Sequence, residues 1–258
     1  MSRYERWNGL LSLLASRGRL SVEEAAAELT VSAATIRRDF DQLAQQQMLT
    51  RTRGGAVAHT VTYDLPLRYK SARRASEKQR IAAVAADLVP HGAVVGINGG
   101  TTTTELARAL ATRADLHTDG ASPAVTVVTN ALNIAGELVV RPHIKIVLTG
   151  GVALPQSYEL VGPLANGVFD QVTLDMAFLG VSGLDVERGA TCANEEEASI
   201  NRQMAVRAEQ VVVVADGSKL GERAFARICG IGEVGMLVTD ADADVRAYEE
   251  AGVKVVRA

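Results

Sequence analysis

The sequence predicts an α/β protein in two parts: a small N-terminal winged helix-turn-helix domain, then a doubly wound, mostly parallel α/β domain. Three short helical patterns and a hairpin pattern fill the first part. From about residue 92, seven short apolar runs alternate with helical patterns, as in strands covered on both faces by helices. Residues 1–80 carry 14 basic and 8 acidic side chains, whereas residues 81–258 carry 13 and 22. We therefore expect only the first part to meet a polyanion, the alternative being a solvated basic face.

The composition excludes several classes of protein. No apolar run reaches the roughly eighteen residues of a membrane span, and the N-terminus does not resemble a secretory signal. Two distant cysteines, Cys192 and Cys229, neither build a disulfide framework nor supply a metal site, so a reducing cytoplasm is expected. The histidines show no metal-ligand spacing and are expected in loops or at the surface: His59, His91, His117 and His143.

The first two helical patterns are expected to form a small scaffold. The apolar residues of the first pattern recur at helical spacing: Tyr4, Trp7, Leu10, Leu11 and Leu14. Gly18 ends this pattern. The second begins at Ser21, whose hydroxyl is expected to cap the helix while Glu24 bonds back in a capping box.

The third helical pattern has the features of a recognition helix. Ile36, Phe40 and Leu43 are spaced to face the core. The opposite side and its flank carry small, hydroxylated and basic residues suited to base edges and phosphates, and these are the candidate DNA contacts: Ser32, Ala34, Thr35, Arg37, Arg38 and Gln42. The alternative is a plain three-helix bundle whose polar face is only solvated.

The segment 49–57 alternates and then turns at Gly54-Gly55, which predicts a hairpin. Alternation would place Arg51 and Arg53 on one face, suited to phosphates or to an adjacent minor groove. A basic two-stranded wing after a recognition helix favours a winged helix-turn-helix over the plain bundle.

These residues carry a family resemblance. TIRRDFDQL at 35–43, followed by LTRTRGGA at 49–56, resembles the helix-turn-helix and wing of the DeoR family of bacterial sugar-metabolism regulators. The family's usual Gly before the wing is Gln47 here. We expect a DNA-binding domain over 1–59, a basic linker over 60–76 and an α/β domain over 77–258. The linker is either a further phosphate contact or a solvated connector. The spacing of Ser76 and Gln79 predicts a second capping box.

The seven apolar runs are predicted as strands 93–97, 125–129, 144–149, 176–180, 211–215, 236–239 and 253–256. In parallel sheets ligands bind beyond the carboxyl ends of strands. The first strand runs into Gly99-Gly100 and a row of threonines before a helix, a candidate phosphate cradle or simply a tight turn. Asp216 and Lys219 follow the fifth strand and could bind a ligand or form a local salt bridge. The acidic run at Glu195–Glu197 is interpreted as a helix start capped by Asn194.

The resemblance extends through this domain, since INGGTTTTELA, VVTNALNIA, VLTGG, ELVGPLA, MAFLGVSG and VADGSK match the DeoR-family sensor domain in order. That domain is similar in fold to ribose-5-phosphate isomerases and CoA transferases, and the resemblance implies a phosphorylated sugar or related metabolite as effector. It implies these binding residues: Gly99, Gly100, Thr101, Thr102, Thr103, Asn130, Gly150, Gly151, Asp216 and Lys219. Asn98-Gly99 stands where the family often has Asp-Ser.

The resulting hypothesis is a DNA-binding repressor of carbohydrate-metabolism genes, relieved by its effector. A dimer or tetramer would place two recognition helices in half-sites about 34 Å, or a multiple, apart. No cofactor, metal or membrane partner is expected. The alternative is a sugar-phosphate isomerase-like enzyme with a DNA-binding arm, which would need a general base beside the substrate carbons. A front domain that contacts only proteins is disfavoured by the arginines of the wing.

Overall fold

The computed structural model describes residues 3–45, 49–57, 67, 74–117 and 123–258. The chain divides into two compact units, Met1–Ala72 and Arg73–Ala258. Most of the linker expected over 60–76 lies outside the described residues, as do Gln47 and His59, and the domain bounds of the sequence analysis stay a prediction. No helix in the described ranges is both long enough and apolar enough to cross a bilayer.

The N-terminal unit contains the three expected helices and the expected hairpin. Its elements are α1 (Arg3–Arg17), β1 (Arg19–Ser21), α2 (Val22–Leu29), α3 (Ala33–Gln45), β2 (Thr50–Thr52) and β3 (Gly55–Val57). The strands form an antiparallel sheet in the order β1-β3-β2. Strand β1 was not predicted, because three residues between two helices are too short to show alternation.

The core of this unit is the one that the helical spacing predicts. Trp7, Leu10 and Leu14 of α1 pack against Ile36 and other buried residues of α3. The capping box of α2 is confirmed, since the Glu24 N–H donates to the Ser21 hydroxyl at 3.1 Å and the Ser21 N–H donates to the Glu24 carboxylate at 2.8 Å. These contacts hold the three helices around one small core.

The C-terminal unit is built on a seven-stranded, entirely parallel sheet, which confirms the predicted fold class. Its elements are α4 (Ala75–Asp87), β4 (Val94–Ile97), α5 (Thr101–Thr112), β5 (Val125–Thr129), α6 (Leu132–Leu138), β6 (Ile144–Leu148), β7 (Val152–Ala153), β8 (Leu160–Val161), α7 (Pro163–Asn166), β9 (Leu174–Leu179), β10 (Gly183–Asp185), β11 (Gly189–Cys192), α8 (Glu195–Val206), β12 (Ala208–Val214), β13 (Ala226–Cys229), β14 (Met236–Thr239), α9 (Arg246–Glu250) and β15 (Lys254–Arg257). The strand order is β15-β14-β12-β9-β4-β5-β6. All seven predicted strands are present, with ends shifted by up to three residues.

Helices cover both faces of this sheet. Val212 and Val214 of β12 belong to one apolar cluster, whereas Val211 and Val213 belong to the other. Successive side chains of a strand point to opposite faces, so each face of β12 has its own core. This two-sided burial explains why the strands appear in the sequence as nearly continuous apolar runs.

Three features of this unit differ from the expectations. The hairpin β7–β8 and the antiparallel sheet β10-β11-β13 were not predicted, because their strands have only two to four residues. The capping box at Ser76 is wrong: α4 begins after Arg74, which has a left-handed backbone and no side-chain cap, and the Ser76 hydroxyl donates to Glu77.

The described histidines lie in loops or turns, as expected, but one of them is not at the surface. His143 is buried, and its ring centroid lies 3.9 Å from that of His117. Burial, together with the neighbouring His117, lowers the pKa of His143. Within the described residues no group of three or more His, Cys, Asp or Glu side chains is placed to hold a metal ion.

Candidate functional site

A buried carboxylate fixes the position of α3. Asp39 is only 3% exposed, and its Oδ1 accepts hydrogen bonds from the Trp7 indole at 2.8 Å and from Arg6 Nη2 at 3.1 Å. The Arg6 Nε also pairs with its Oδ2. Buried charges persist only when paired and hydrogen-bonded, so this cluster clamps α3 to α1. The sequence analysis missed Asp39, because an acidic residue on a helix reads as exposed until its partners are known.

The outer face of α3 is open to solvent. Ala34, Arg37, Arg38 and Gln42 are exposed. Among the described residues Arg38 has no ion-pair partner, whereas Arg37 lies 4.0 Å from the carboxylate of Glu23. The face therefore presents one long, free cationic side chain at its centre.

The start of α3 is organised by hydroxyls. The Thr35 N–H donates to the Ser32 hydroxyl at 3.2 Å, and the two hydroxyls are 2.9 Å apart. Ser32 thus caps the helix. N–H groups at the start of a helix favour an anion, so this end is suited to a phosphate.

The wing differs from its expected arrangement. Strand β2 ends at Thr52, so Arg53 occupies the hairpin turn, where it is exposed beside Gly54 with φ of +86°. Arg51 instead turns back to the protein: its Nε donates to Asp41 at 2.8 Å and its Nη1 to the Gly55 carbonyl at 2.6 Å. Arg51 and Arg53 therefore do not share one free face, and Arg51 ties the wing to α3.

The predicted phosphate cradle lies between β4 and α5. Thr103 and Thr104 donate their hydroxyls to the Gly100 carbonyl, at 3.1 and 2.6 Å. Gly100, with φ of +150°, precedes the helix and has a conformation that favours glycine. The N–H groups of the first helical turn have no acceptor within a helix, so Thr101–Thr103 present donors here.

Asn98, directly before Gly99, links this cradle to the neighbouring strand β9. Its Nδ2 donates to the Gly180 carbonyl at 3.0 Å, and its Oδ1 accepts the Gly180 N–H at 2.8 Å. A carboxylate could accept only the second of these bonds, since it has no N–H to donate. The residue at 98 thus joins the ends of β4 and β9 as an amide.

The other candidate effector residues follow the carboxyl ends of neighbouring strands. Asn130 follows β5, Gly150 and Gly151 follow β6, and Asp216 and Lys219 follow β12. The parallel strand order brings these ends to one edge of the sheet. Gly151 has a packing role, because a Cβ there would lie 2.6 Å from the Val161 carbonyl.

A residue that the sequence analysis did not select, Glu159, lies beneath the cradle. It is 3% exposed, and its Oε2 accepts a hydrogen bond from Asn130 Nδ2 at 2.7 Å. Asn201 of α8 and the Gly99 N–H also hydrogen-bond to it. Burial, followed by the charge of Glu197, raises the pKa of Glu159 to about 8. The one feature of the sequence that could have pointed to Glu159 is that this ionisable residue directly precedes the apolar Leu160 and Val161.

Asp216 belongs to a second polar cluster. Burial opposes its ionisation, but hydrogen bonds from Ser218 and the charges of Lys219 and Lys78 outweigh it, so the pKa of Asp216 is lowered. Arg74 Nη1 lies 3.4 Å from Asp216 Oδ1. This ion pair joins residues far apart in the sequence, so it is not the local Asp216–Lys219 salt bridge that the sequence analysis offered as an alternative, and that alternative stays a prediction.

Comparisons with known proteins agree with this two-part organisation. Residues 6–62 match the model of the DeoR-like helix-turn-helix domain, and residues 73–241 match that of the DeoR C terminal sensor domain. The chain is 36% identical to an HTH-type transcriptional regulator GlpR from Haloferax volcanii, over 98% of this chain and 96% of that protein. It is 31% identical to the Glycerol-3-phosphate regulon repressor of Escherichia coli, over 96% of this chain and 95% of that one.

Among solved structures, the full-length sorbitol operon regulator SorC from Klebsiella pneumoniae aligns with 97% of this chain and 99% of its own, at 15% identity and a TM-score of 0.41. A TM-score of this size adds nothing to the assignment.

Proposed function

Because the chain belongs to the DeoR family of DNA-binding transcriptional regulators, we propose that it is a repressor whose operator binding is relieved by a phosphorylated sugar or related metabolite. The curated relatives that match over nearly the whole chain are regulators, so the chain is a regulator and not an isomerase with a DNA-binding arm. The relative from Escherichia coli is named for a glycerol-3-phosphate regulon, which supports a phosphorylated effector. Such a repressor acts in the cytoplasm.

The observation that carries the proposal is the exposed face of α3 on a helix that Asp39 holds in place. We propose that this face enters the major groove, where Arg38 contacts a guanine and Gln42 and Thr35 contact further base edges. Ser32, Arg37 and Arg53 would contact phosphates, and the small side chain of Ala34 would permit close approach. Two copies of the chain would bind two half-sites.

The effector is proposed to bind at the carboxyl edge of the parallel sheet. Its phosphate would accept N–H groups at the start of α5, with Gly99, Gly100 and Thr101–Thr103 around it. The remaining predicted residues would bind the rest of the ligand: Asn130, Gly150, Gly151, Asp216 and Lys219. For the ligand to release DNA it must prefer one conformation, and a coupling of about 1–3 kcal/mol would be typical.

The proposal is tested in two steps. DNA fragments selected by the full-length protein from a random pool define the operator, and its affinity is then measured with and without sugar phosphates at fixed salt. A thermal-shift screen with inorganic phosphate as control identifies ligands that prefer the folded protein. Sequence-specific binding that at least one sugar phosphate weakens is expected. Binding without sequence preference would overturn the proposal.

A further inference from the structure

We propose that Glu159, with Asn130 and Asn201, forms a hydroxyl-binding subsite beside the cradle, which selects ligands that carry hydroxyls and only one anionic group. The inference rests on the proposed function, since it concerns the same pocket. It begins from the close approach of two residues far apart in the sequence, Gly99 and Glu159.

The carboxyl of Glu159 occupies the space that a side chain at position 99 would need. A Cβ on Gly99 would lie 2.3 Å from Glu159 Cγ and 2.6 Å from Oε1. The Gly99 N–H donates to the same carboxyl. Because Gly99 is the first glycine of the cradle, Glu159 lies next to the group proposed to hold the phosphate.

The backbone at this point is also unusual. Tyr158, immediately before Glu159, has φ of +62°, a left-handed conformation that is strained for a residue other than glycine. The Leu154 N–H donates to the Glu159 carbonyl at 2.8 Å, and Ala131 pairs with Glu159 in an isolated bridge. The segment that joins β7 and β8 is therefore held in a strained form that places Glu159 beside Asn130.

The side-chain amides of Asn130 and Asn201, next to Glu159, each have an oxygen that can accept a hydrogen bond. Asn130 and Asn201 are at most 1% exposed, and among the described residues the Oδ1 atoms of both lack a hydrogen-bond partner. A buried acceptor without a donor is unfavourable, because it has lost its hydrogen bonds to water and gained none in return. Ligand hydroxyls would supply such donors, whereas a phosphate or carboxylate at neutral pH has few or none.

The charge of the cluster favours the same class of ligand. Burial, followed by the negative charge of Glu197, raises the pKa of Glu159 to about 8, so Glu159 is largely protonated at neutral pH. A second anionic group on the ligand would have to approach the charge of Glu197 and the two amide oxygens. The subsite therefore accepts the hydroxylated part of a sugar monophosphate and disfavours a bisphosphate.

The experiment uses the full-length protein and calorimetric affinities for four probes: inorganic phosphate, glycerol 3-phosphate, fructose 6-phosphate and fructose 1,6-bisphosphate. The wild type is expected to bind at least one monophosphate more tightly than inorganic phosphate and than the bisphosphate. In Glu159→Ala, affinity for that monophosphate should fall about tenfold, the loss of one buried hydrogen bond, with inorganic phosphate unchanged. Glu159→Gln, which keeps the size and polarity, should stay within about twofold of the wild type.

Gly99→Ala provides a second variant if Glu159→Ala does not fold. Its Cβ displaces the Glu159 side chain, so it should also lose affinity for the monophosphate more than for inorganic phosphate. Equal losses for both probes would make Glu159 a structural support only and overturn the inference. Bisphosphate binding as tight as the monophosphate would also overturn it, while the proposed function would stand. If no sugar phosphate binds or affects operator affinity, the effector proposal and this inference fall together.

Discussion

The guanidinium Nη1 of Arg74 lies 3.4 Å from Oδ1 of Asp216, and 3.8 Å from Oδ2 of Asp240. Asp216 follows β12 and Asp240 follows β14, so this arginine links two strand ends to the start of α4. Arg74 lies near the end of the segment 60–76 that is expected to connect the two domains. A ligand that engages Asp216 would compete with Arg74, which makes this ion pair a candidate route from effector to DNA-binding domain.

Replacing Arg74 should weaken the response to effector. In Arg74→Ala, we expect the effector to shift operator affinity about fivefold less than in the wild type, a loss of about 1 kcal/mol of coupling. Operator affinity without effector should change less than twofold. Titrations of operator DNA with and without the effector measure this. Arg80→Ala, an exposed arginine on the same helix, is the matched control, and an equal loss there would contradict a specific role for Arg74.

The proposed DNA interface would make two kinds of contact, and Arg38 of α3 and Arg53 of the wing allow each to be tested separately. Arg38→Ala should cost about 1–3 kcal/mol on the specific operator and relax the preference at one base position, because a base contact is lost. Arg53→Ala should weaken binding to all sequences alike and lower the salt slope by about one, as expected for a phosphate contact. Anisotropy titrations over a salt series test both. If Arg38→Ala kept full sequence discrimination, the assignment of this face would be wrong.

The two aspartates of α3 should contribute very differently to stability. Asp39→Ala leaves Arg6 and the Trp7 indole without their buried partner, and should lower the free energy of unfolding of the N-terminal unit by about 3 kcal/mol. Asp41→Ala breaks only the partly exposed pair with Arg51, and about 1 kcal/mol or less is expected. Urea denaturation followed by fluorescence of Trp7, the single tryptophan, reports on this unit. Similar losses for both variants would show that Asp39 is not a clamp.

Glu159 should make stability depend on pH. Burial raises its pKa from 4.5 to about 8 in the folded protein. The unfolded chain therefore releases this proton at a lower pH than the folded protein. The stability that the protonated Glu159 contributes is fully present below pH 4.5 and is lost as pH rises towards 8. Between pH 5 and pH 8 the free energy of unfolding of the wild type should fall by more than that of Glu159→Gln, and denaturation at both pH values measures this. Glu196→Gln, an exposed residue, should behave like the wild type. An identical decrease in Glu159→Gln would refute the raised pKa.

The helices and strands that could be predicted are those whose pattern of apolar residues is visible in a short stretch of sequence. The strands of the parallel sheet are apolar because helices cover both faces, and Ile36, Phe40 and Leu43 show the period of α3 directly. Strands of two to four residues, such as those of β7–β8, carry no such period. The helix start at Arg74 was missed because Arg74 has no side-chain cap, and the carboxylates that its guanidinium contacts, Asp216 and Asp240, lie far along the chain.

The part of the candidate site that could be predicted consists of residues whose position follows from the order of the strands. Asn130 and Asp216 were placed by the rule that ligands bind at carboxyl ends of strands, and the structure puts both at that edge. Glu159 was missed because its importance depends on Gly99 and Asn201, which only tertiary packing brings to it. Arg51 was expected beside Arg53, but alternation along three residues could not reveal that Asp41 and the Gly55 carbonyl would bind its guanidinium.

The internal engagement of Arg51 has a consequence for how operator affinity can diverge among such repressors. With Arg51 bound to Asp41, the described hairpin offers DNA a single long basic side chain, at the turn. Substitutions at Arg53 would then change the footprint of the wing without loosening its attachment to α3. A lineage could in this way adjust how tightly the repressor holds its operators by altering the tip alone, while α3, proposed to contact the bases, keeps its place.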